Sequence, residues 1–140
     1  INRDREHTAV QQQIESLSIK CDNTDQAVET LSGGNQQKVS IARWLVRDCQ
    51  ILLFDEPTRG VDIHAKSQIY VLLRALAAQG KAVVLVSSEN SELTALSNRI
   101  VVMSNGYLTA TFERGNWTSE GITAAAFRGF DAAPQASNTI

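Results

Sequence analysis

Long apolar runs, cysteines and surplus positive charge are all scarce in this sequence of 140 residues. The longest apolar runs have five residues, as at 82–86, whereas a membrane-spanning helix needs about 20. The two cysteines are too few for a disulfide framework and too far apart for a zinc pair, so we expect a reduced, cytoplasmic location. Lys and Arg number 13 against 15 Asp and Glu, which leaves a net charge of −2 and predicts no nucleic-acid partner. There is no initiating Met, and we expect a piece of a longer polypeptide.

An α/β arrangement is predicted from the order of the apolar patterns along the chain. The runs 51–54 and 82–86 lack polar alternation, which is typical of parallel strands covered on both faces. The segment between them can hold a crossover helix, with Asp62 as its N-cap and Gly80 just past its end. Asn105-Gly106 between two β-rich runs predicts a hairpin. The fold class is therefore α/β, with a mostly parallel sheet flanked by helices and a C-terminal β-hairpin.

Further helices are expected at 10–17, after 34, at 91–96 and at 119–127, and the chain is expected to fray from Gly129 onward. The helix after 34 should bury a face that contains Val39, Ala42, Leu45 and Val46. Trp44 is expected in the core, and Lys38 on a solvated face.

Two adjacent carboxylates, Asp55 and Glu56, follow the first apolar run. Ligands of open α/β sheets gather beyond the carboxyl ends of the strands. There Asp55 would suit Mg²⁺, which prefers oxygen ligands, and Glu56 would suit a base that activates water. Acids are also common where a strand simply returns to solvent, so the pair alone leaves both interpretations open.

A second candidate site is the segment Ser32-Gly33-Gly34-Asn35, which precedes the second helix. The N-terminus of a helix exposes unpaired N–H groups and the positive end of the macrodipole. Two glycines would let an anion approach this backbone, and the Ser32 hydroxyl adds a donor, so phosphate is the natural ligand. A serine-capped helix after a flexible turn explains the same residues.

The order of these segments resembles the ABC ATPase family. The run LSGGNQQK at 31–38 is similar to the signature motif, ILLFDEPT at 51–58 to Walker B, and Gly60-Val61-Asp62 to the D-loop. The likeness extends from about Val28 to Gly106. Asn35, together with the run from Glu56 to Asp62, resembles the second nucleotide-binding half of the monosaccharide importers, which take up ribose, galactose, arabinose, xylose and related compounds.

Two departures from the family pattern accompany this resemblance. No G-x-x-x-x-G-K-[ST] loop is present, so the Walker A phosphate cradle is expected upstream of Ile1. At the switch position, where many members have His, this sequence has Ser88, which can hydrogen-bond phosphate but does not titrate near neutrality. His64 lies after the D-loop, and we expect it to be an exposed helix residue without a catalytic role.

The resemblance implies a truncated P-loop NTPase of the ABC type, with 1–30 as a remnant of the helical subdomain, 31–128 as the C-terminal part of a nucleotide-binding domain and 129–140 as a flexible tail. It implies ATP and Mg²⁺ as cofactors, with Glu56 and Ser88 as catalytic residues and Asp55 as the metal ligand. The nucleotide contacts that it implies are Ser32, Gly33, Gly34, Asn35 and Asp62.

The partners that the resemblance implies are an opposing nucleotide-binding domain in head-to-tail arrangement, membrane permease subunits and, indirectly, a periplasmic sugar-binding protein. The parent would lie peripherally on the cytoplasmic face of the inner membrane. The fragment alone is expected to be inactive. A soluble ABC ATPase that does not transport, and a non-catalytic interaction module, are the alternative functions.

Overall fold

The computed structural model describes residues 3–47 and 49–131, and for 129–131 the backbone alone. The chain divides into two compact units, Ile1–Val86 and Ser87–Ile140, which are described separately below. Its elements in chain order are α1 (Arg3–Ser16), a 3-10 turn (Val28–Thr30), α2 (Gly33–Leu45), β1 (Ile51–Asp55), α3 (Ile63–Ala78), β2 (Ala82–Val86), α4 (Asn90–Leu96), β3 (Arg99–Ser104), β4 (Tyr107–Glu113) and α5 (Ser119–Asp131).

The first unit contains a parallel pair of strands joined by a helical crossover, as predicted. β1 pairs with β2 from Ile51 opposite Ala82 to Asp55 opposite Val86, and α3 connects them. A helical stripe of α3 is buried, at Ile69, Leu73 and Leu76. The helix begins after its predicted cap and ends before Gly80, whose φ of 87° suits a residue without a side chain.

One face of this strand pair is buried and the other is exposed. Leu52 and Phe54 lie in the core, whereas Ile51 and Leu53 are each 70 % exposed. On β2, Val84 and Val86 are also exposed. The prediction that β1 and β2 are both covered on two faces is therefore wrong for the described residues. Side chains of a strand alternate between the two faces, and only one face has neighbours here.

The helices α1 and α2 share a small core, formed by Leu17, Ile19 and Ala42 with Ile14, Val39, Leu45 and Leu72 packed against it. The buried residues of α2 are Gly34, Lys38, Ile41 and Ala42. The buried face of α2 thus differs from the expected one at two positions, because Val46 is exposed and Lys38 is buried. Trp44 was also misplaced: it is 58 % exposed and lies under the Arg47 guanidinium, 5.7 Å from the ring centroid.

The second unit is the predicted hairpin with a helix packed on it. β3 and β4 are antiparallel, with a register shift between Val102 and Met103. Asn105 and Gly106 have φ values of 50° and 81°, as a tight turn of two residues requires. The core of the unit combines Ile100 and Val102 with residues of α5, and the half-buried Trp117 packs against it.

The C-terminal helix is longer than expected. α5 continues to Asp131, so the chain remains helical through 129–131, where fraying was predicted. The remainder of the predicted tail, 132–140, lies outside the described residues. Within the described ranges, no helix combines the length and the apolar character that a bilayer crossing needs.

Candidate functional site

The two strand-end acids lie where β1 leaves the sheet. Asp55 is the last residue of β1 and its side chain is exposed, while Glu56 is half-buried. The Glu56 N–H donates to the Val86 carbonyl at 2.9 Å, and the Glu56 carbonyl accepts from the Arg59 N–H at 3.1 Å. These bonds fix a sharp turn directly after the strand.

The Glu56 backbone is in the left-handed region, with φ 47°. This conformation costs a residue with a side chain about 1–3 kcal/mol, and the surrounding structure must hold it in place. Pro57 and Thr58, which follow, are both buried and supply that anchoring. A strained residue next to an exposed carboxylate is typical of a functional site.

The acid pair suits a magnesium ion that is bound together with a nucleotide. The part of the chain that the structure describes has no cluster of three or more His, Cys, Asp or Glu side chains that could enclose a metal. Mg²⁺ bound with a nucleotide does not need such a cage, because one carboxylate, several waters and phosphate oxygens complete its shell. The exposed Asp55 carboxylate suits that role.

Asp62 is the N-cap of α3, as predicted. Its Oδ1 accepts hydrogen bonds from the N–H groups of His64 and Ala65, both at 2.9 Å. The bond from Ala65, followed by that from His64, stabilises the charged form and lowers the pKa of the Asp62 carboxyl. One oxygen of this exposed carboxylate is therefore committed to the helix, and only the other is open to a ligand. His64 is exposed, as expected.

The first turn of α2 is not a simple serine-capped helix. Ser32 occupies the N-cap position, but its side chain makes no capping hydrogen bond. Ser32 and Gly33 are exposed, which leaves the hydroxyl and the start of the helix accessible. This accessibility favours the anion-binding interpretation over the capping one.

Gly34 has a packing role that the sequence did not indicate. It is buried, and a Cβ added there would lie 2.4 Å from the Cβ of Ala65 in α3. A Cβ at Gly33 would meet nothing closer than the Gly60 carbonyl oxygen, at 3.9 Å. Both glycines were expected to admit an anion. Gly33 is open enough to do so, whereas the missing side chain of Gly34 lets α2 and α3 approach.

Asn35 does not project freely from the helix. Its Oδ1 accepts from the Lys20 N–H at 2.9 Å, and its Nδ2 donates to Ser32 Oγ, also at 2.9 Å. Behind this pair, Lys38 Nζ donates to the Ser18 carbonyl at 3.0 Å. Burial, with a smaller contribution from Lys20, lowers the pKa of Lys38. The segment 18–20 and the start of α2 are thus tied together by side chains.

Ser88 belongs to the second unit, two residues beyond β2. It is exposed and precedes α4, and the adjacent Glu89 N–H donates to Ser87 Oγ at 3.0 Å. In the first unit, the structure brings Gly33 and Gly34 beside the segment 60–65, so two of the predicted motifs are neighbours within the same unit.

Comparison with known proteins relates the first part of the chain to a known family. Residues 2–59 match the ABC transporter family model, over a range that includes 31–38 and Asp55-Glu56. This part of the chain is therefore similar to an ABC transporter domain.

The curated relatives carry sugar-import names. The chain is 48 % identical over 128 residues to a protein of Albidiferax ferrireducens named as a ribose/galactose/methyl galactoside import ATP-binding protein, a match that covers 91 % of this chain and 25 % of the relative. It is 48 % identical over 124 residues to the ribose import ATP-binding protein of Rhodopirellula baltica, covering 89 % and 24 %. The chain therefore spans about a quarter of the length of the curated relatives that it matches.

Solved structures show the same fold. A chain described as a metal-chelate type ABC transporter in an inward-facing conformation superposes with a TM-score of 0.73 at 26 % identity, covering 84 % of this chain and 48 % of that one. A dimeric ATP-binding cassette with ADP and Pi superposes with a TM-score of 0.69 at 24 % identity, covering 84 % and 50 %. The α/β fold predicted from the sequence, a partial ABC domain, is confirmed.

Reasoning from the sequence missed Lys38 as part of the site. One face of α2 is buried, and its residues have helical spacing: Gly34, Lys38, Ile41 and Ala42. Periodicity alone would therefore have placed Lys38 on the buried face, had its charge not been taken as a sign of exposure. Its apolar stem can lie in a core while the ammonium reaches a carbonyl at the edge.

Proposed function

We propose that this chain is the C-terminal part of a nucleotide-binding domain in an ATP-driven sugar importer. In this proposal residues 1–30 belong to the helical subdomain, 31–128 to the domain itself and 129–140 to a tail. The observation that carries the proposal is the accessible start of α2, where the exposed Ser32 makes no capping bond and Gly33 is open. The import names of the relatives, which cover most of this chain, support a sugar as the cargo.

The signature residues would act on a nucleotide held mainly by an opposing domain. Ser32 and Gly33 would offer a hydroxyl and helix N-terminal amides to its phosphates. Three other residues would support this contact, because each already has a partner within its own unit: Gly34, Asn35 and Asp62. Closure of the two domains would then depend on ATP.

The Walker B residues would serve the nucleotide of their own domain, whose phosphate cradle would lie in the parent polypeptide. Asp55 would hold Mg²⁺, which neutralises phosphate charge when bound. Glu56 would orient the attacking water and take its proton. Ser88 would donate a hydrogen bond to the terminal phosphate. Closure would be passed to permease subunits at the cytoplasmic face of the membrane, which receive sugar from a periplasmic binding protein.

The catalytic part of this proposal is tested by Glu56→Gln in the full-length parent. Loss of turnover with retained ATP binding is the expected result, because the amide keeps the shape but cannot accept the proton. Glu120→Gln in the first turn of α5 is a matched control on an exposed acid and should leave turnover unchanged. Full turnover in Glu56→Gln would contradict the assigned base.

The isolated chain provides a second measurement. Titration of these 140 residues with Mg-ATP should give very weak binding and no ATP hydrolysis, because the amides of one helix and a single carboxylate lack a phosphate loop. Micromolar affinity would contradict the division of the site between this chain and the rest of the parent.

A further inference from the structure

We propose that Asn35 is a positioning residue that points the Ser32 hydroxyl proton at the phosphate, with the Lys20 N–H as the fixed reference; this rests on the proposed function of the signature. The amide of Asn35 would not touch the nucleotide. It would instead set which way Ser32 donates.

The polarity of the Asn35 amide is determined by the backbone. An N–H group can only donate, so the side-chain atom that faces the Lys20 N–H at 2.9 Å must be Oδ1. The NH₂ end then faces Ser32 Oγ, also at 2.9 Å, and donates to it. Since a hydroxyl has two acceptor positions and one proton, this bond occupies an acceptor position and leaves the proton available.

The reference donor is itself held firmly. Lys38 is only 5 % exposed, and its ammonium group donates to the Ser18 carbonyl at 3.0 Å. Ile19 is buried, and its N–H donates to the Ile14 carbonyl at 2.9 Å. The Lys20 N–H is thus held in place by the buried Ile19 before it and by the bond from the Lys38 ammonium to Ser18.

Ser32 lines a cleft in which a ligand can lie. Ser32, Asn35 and Lys20 line an open cleft of about 400 Å³. Among the described residues no acceptor takes the Ser32 proton. Thr30, in the wall of the same cleft, differs in this respect because its hydroxyl donates to the Ala27 carbonyl at 2.7 Å.

The same cleft contains a matched amide–hydroxyl pair. Gln26 Oε1 accepts from the Asp22 N–H at 2.7 Å, and Gln26 Nε2 donates to Thr30 Oγ1 at 2.9 Å. This bridge repeats the arrangement at Asn35, but its hydroxyl proton is already used.

The test is a double-mutant cycle in the full-length parent, with kcat and KM for Mg-ATP as readouts. Ser32→Ala and Asn35→Leu should each lower kcat/KM about tenfold or more, which is the expected effect of one hydrogen bond to a charged group. The double variant should be no worse than Ser32→Ala alone, because Asn35 acts only through the Ser32 hydroxyl, which that variant lacks. Gln11→Met is the control: it removes an exposed side-chain amide of α1 that donates to Glu15 Oε1 at 3.0 Å, outside the cleft, and should leave both constants near their original values.

Asn35→Asp provides a variant that keeps the fold. Its carboxylate still accepts from the Lys20 N–H, but its second oxygen would take the Ser32 proton and turn it away from phosphate. Its loss should therefore be large when Ser32 is present and much smaller in the Ser32→Ala background. The loss that remains in that background reports the added charge alone.

The outcomes separate this inference from the proposed function. Suppose that Ser32→Ala lowers kcat/KM and that an Asn35 substitution lowers it by the same further factor with or without Ser32. Asn35 then does not act through Ser32, and the inference is overturned, while the proposed phosphate role of the signature stands. The inference is likewise overturned if Asn35→Leu has no effect. If Ser32→Ala itself leaves both constants unchanged, the phosphate role of the signature fails, and the positioning role fails with it.

Discussion

Replacing Gly34 by alanine should destabilise the first unit, although alanine is normally the better helix former. The new Cβ would lie 2.4 Å from the Ala65 Cβ, and real Cβ contacts are essentially never below 3.0 Å, so α2 and α3 would have to separate by more than half an ångström. Overpacking of this kind costs about 1–3 kcal/mol. The gain in helix propensity offsets at most about 1 kcal/mol. We expect a net loss of about 1–2 kcal/mol.

Gly33→Ala is the matched control in the same helical turn. Its added Cβ would meet atoms only at 3.9 Å or beyond, which is ordinary van der Waals contact. With no clash, the variant should gain up to about 1 kcal/mol from the reduced freedom of the unfolded chain. Urea denaturation followed by circular dichroism should therefore shift in opposite directions for the two alanines.

Ala65→Gly tests the cause directly. In the Gly34→Ala background it removes the atom that clashes, so it should restore stability even though glycine is unfavourable in α3. The reasoning is refuted if Gly34→Ala unfolds at the same urea concentration as Gly33→Ala, or if Ala65→Gly makes the Gly34→Ala protein less stable.

Two further predictions concern the cap of α3 and the exposed sheet face. Because the pKa of Asp62 is lowered from its ordinary 3.8, its carboxylate stabilises the fold above that pH, and this contribution is lost as the pH falls through the lower folded value. The urea midpoints of the original protein and Asp62→Ala should differ at pH 7, and the difference should shrink as the pH falls below 3.8; a constant difference would contradict the cap. Leu53→Lys, on the exposed apolar face of β1, should leave the chain folded by circular dichroism, whereas Leu52→Lys, in the core, should unfold it. Equal effects of the two lysines would contradict the one-sided burial.

Local patterns in the sequence were sufficient for several elements. The α3 helix was predicted with its cap and its end, because Asp62 and Gly80 lie at the two ends of one segment and agree with each other. The hairpin at Asn105-Gly106 could also be predicted from neighbouring residues alone, because few residues other than Asn and Gly tolerate positive φ at two consecutive positions.

Contacts between distant segments could not be predicted in this way. The close approach at Gly34 depends on Ala65, which lies 31 residues further along the chain, and no periodicity within α2 contains that information. The capping interpretation of Ser32 was reasonable locally, but the bond to Asn35 replaces it, and the orientation of Asn35 depends on the backbone at Lys20. The exposure of Leu53 similarly reflects which neighbours are present around the strand, not the strand's own sequence.

Because the Glu56 backbone is left-handed, the residue that would best stabilise the fold there differs from the residue that we propose for catalysis. Glycine and asparagine adopt φ near 47° more readily than glutamate, so a library at this position sorted for resistance to urea should enrich those two residues. The same library sorted for ATP turnover in the parent should retain only the carboxylate. Engineering that seeks stability alone would therefore remove the carboxylate that we propose as the catalytic base.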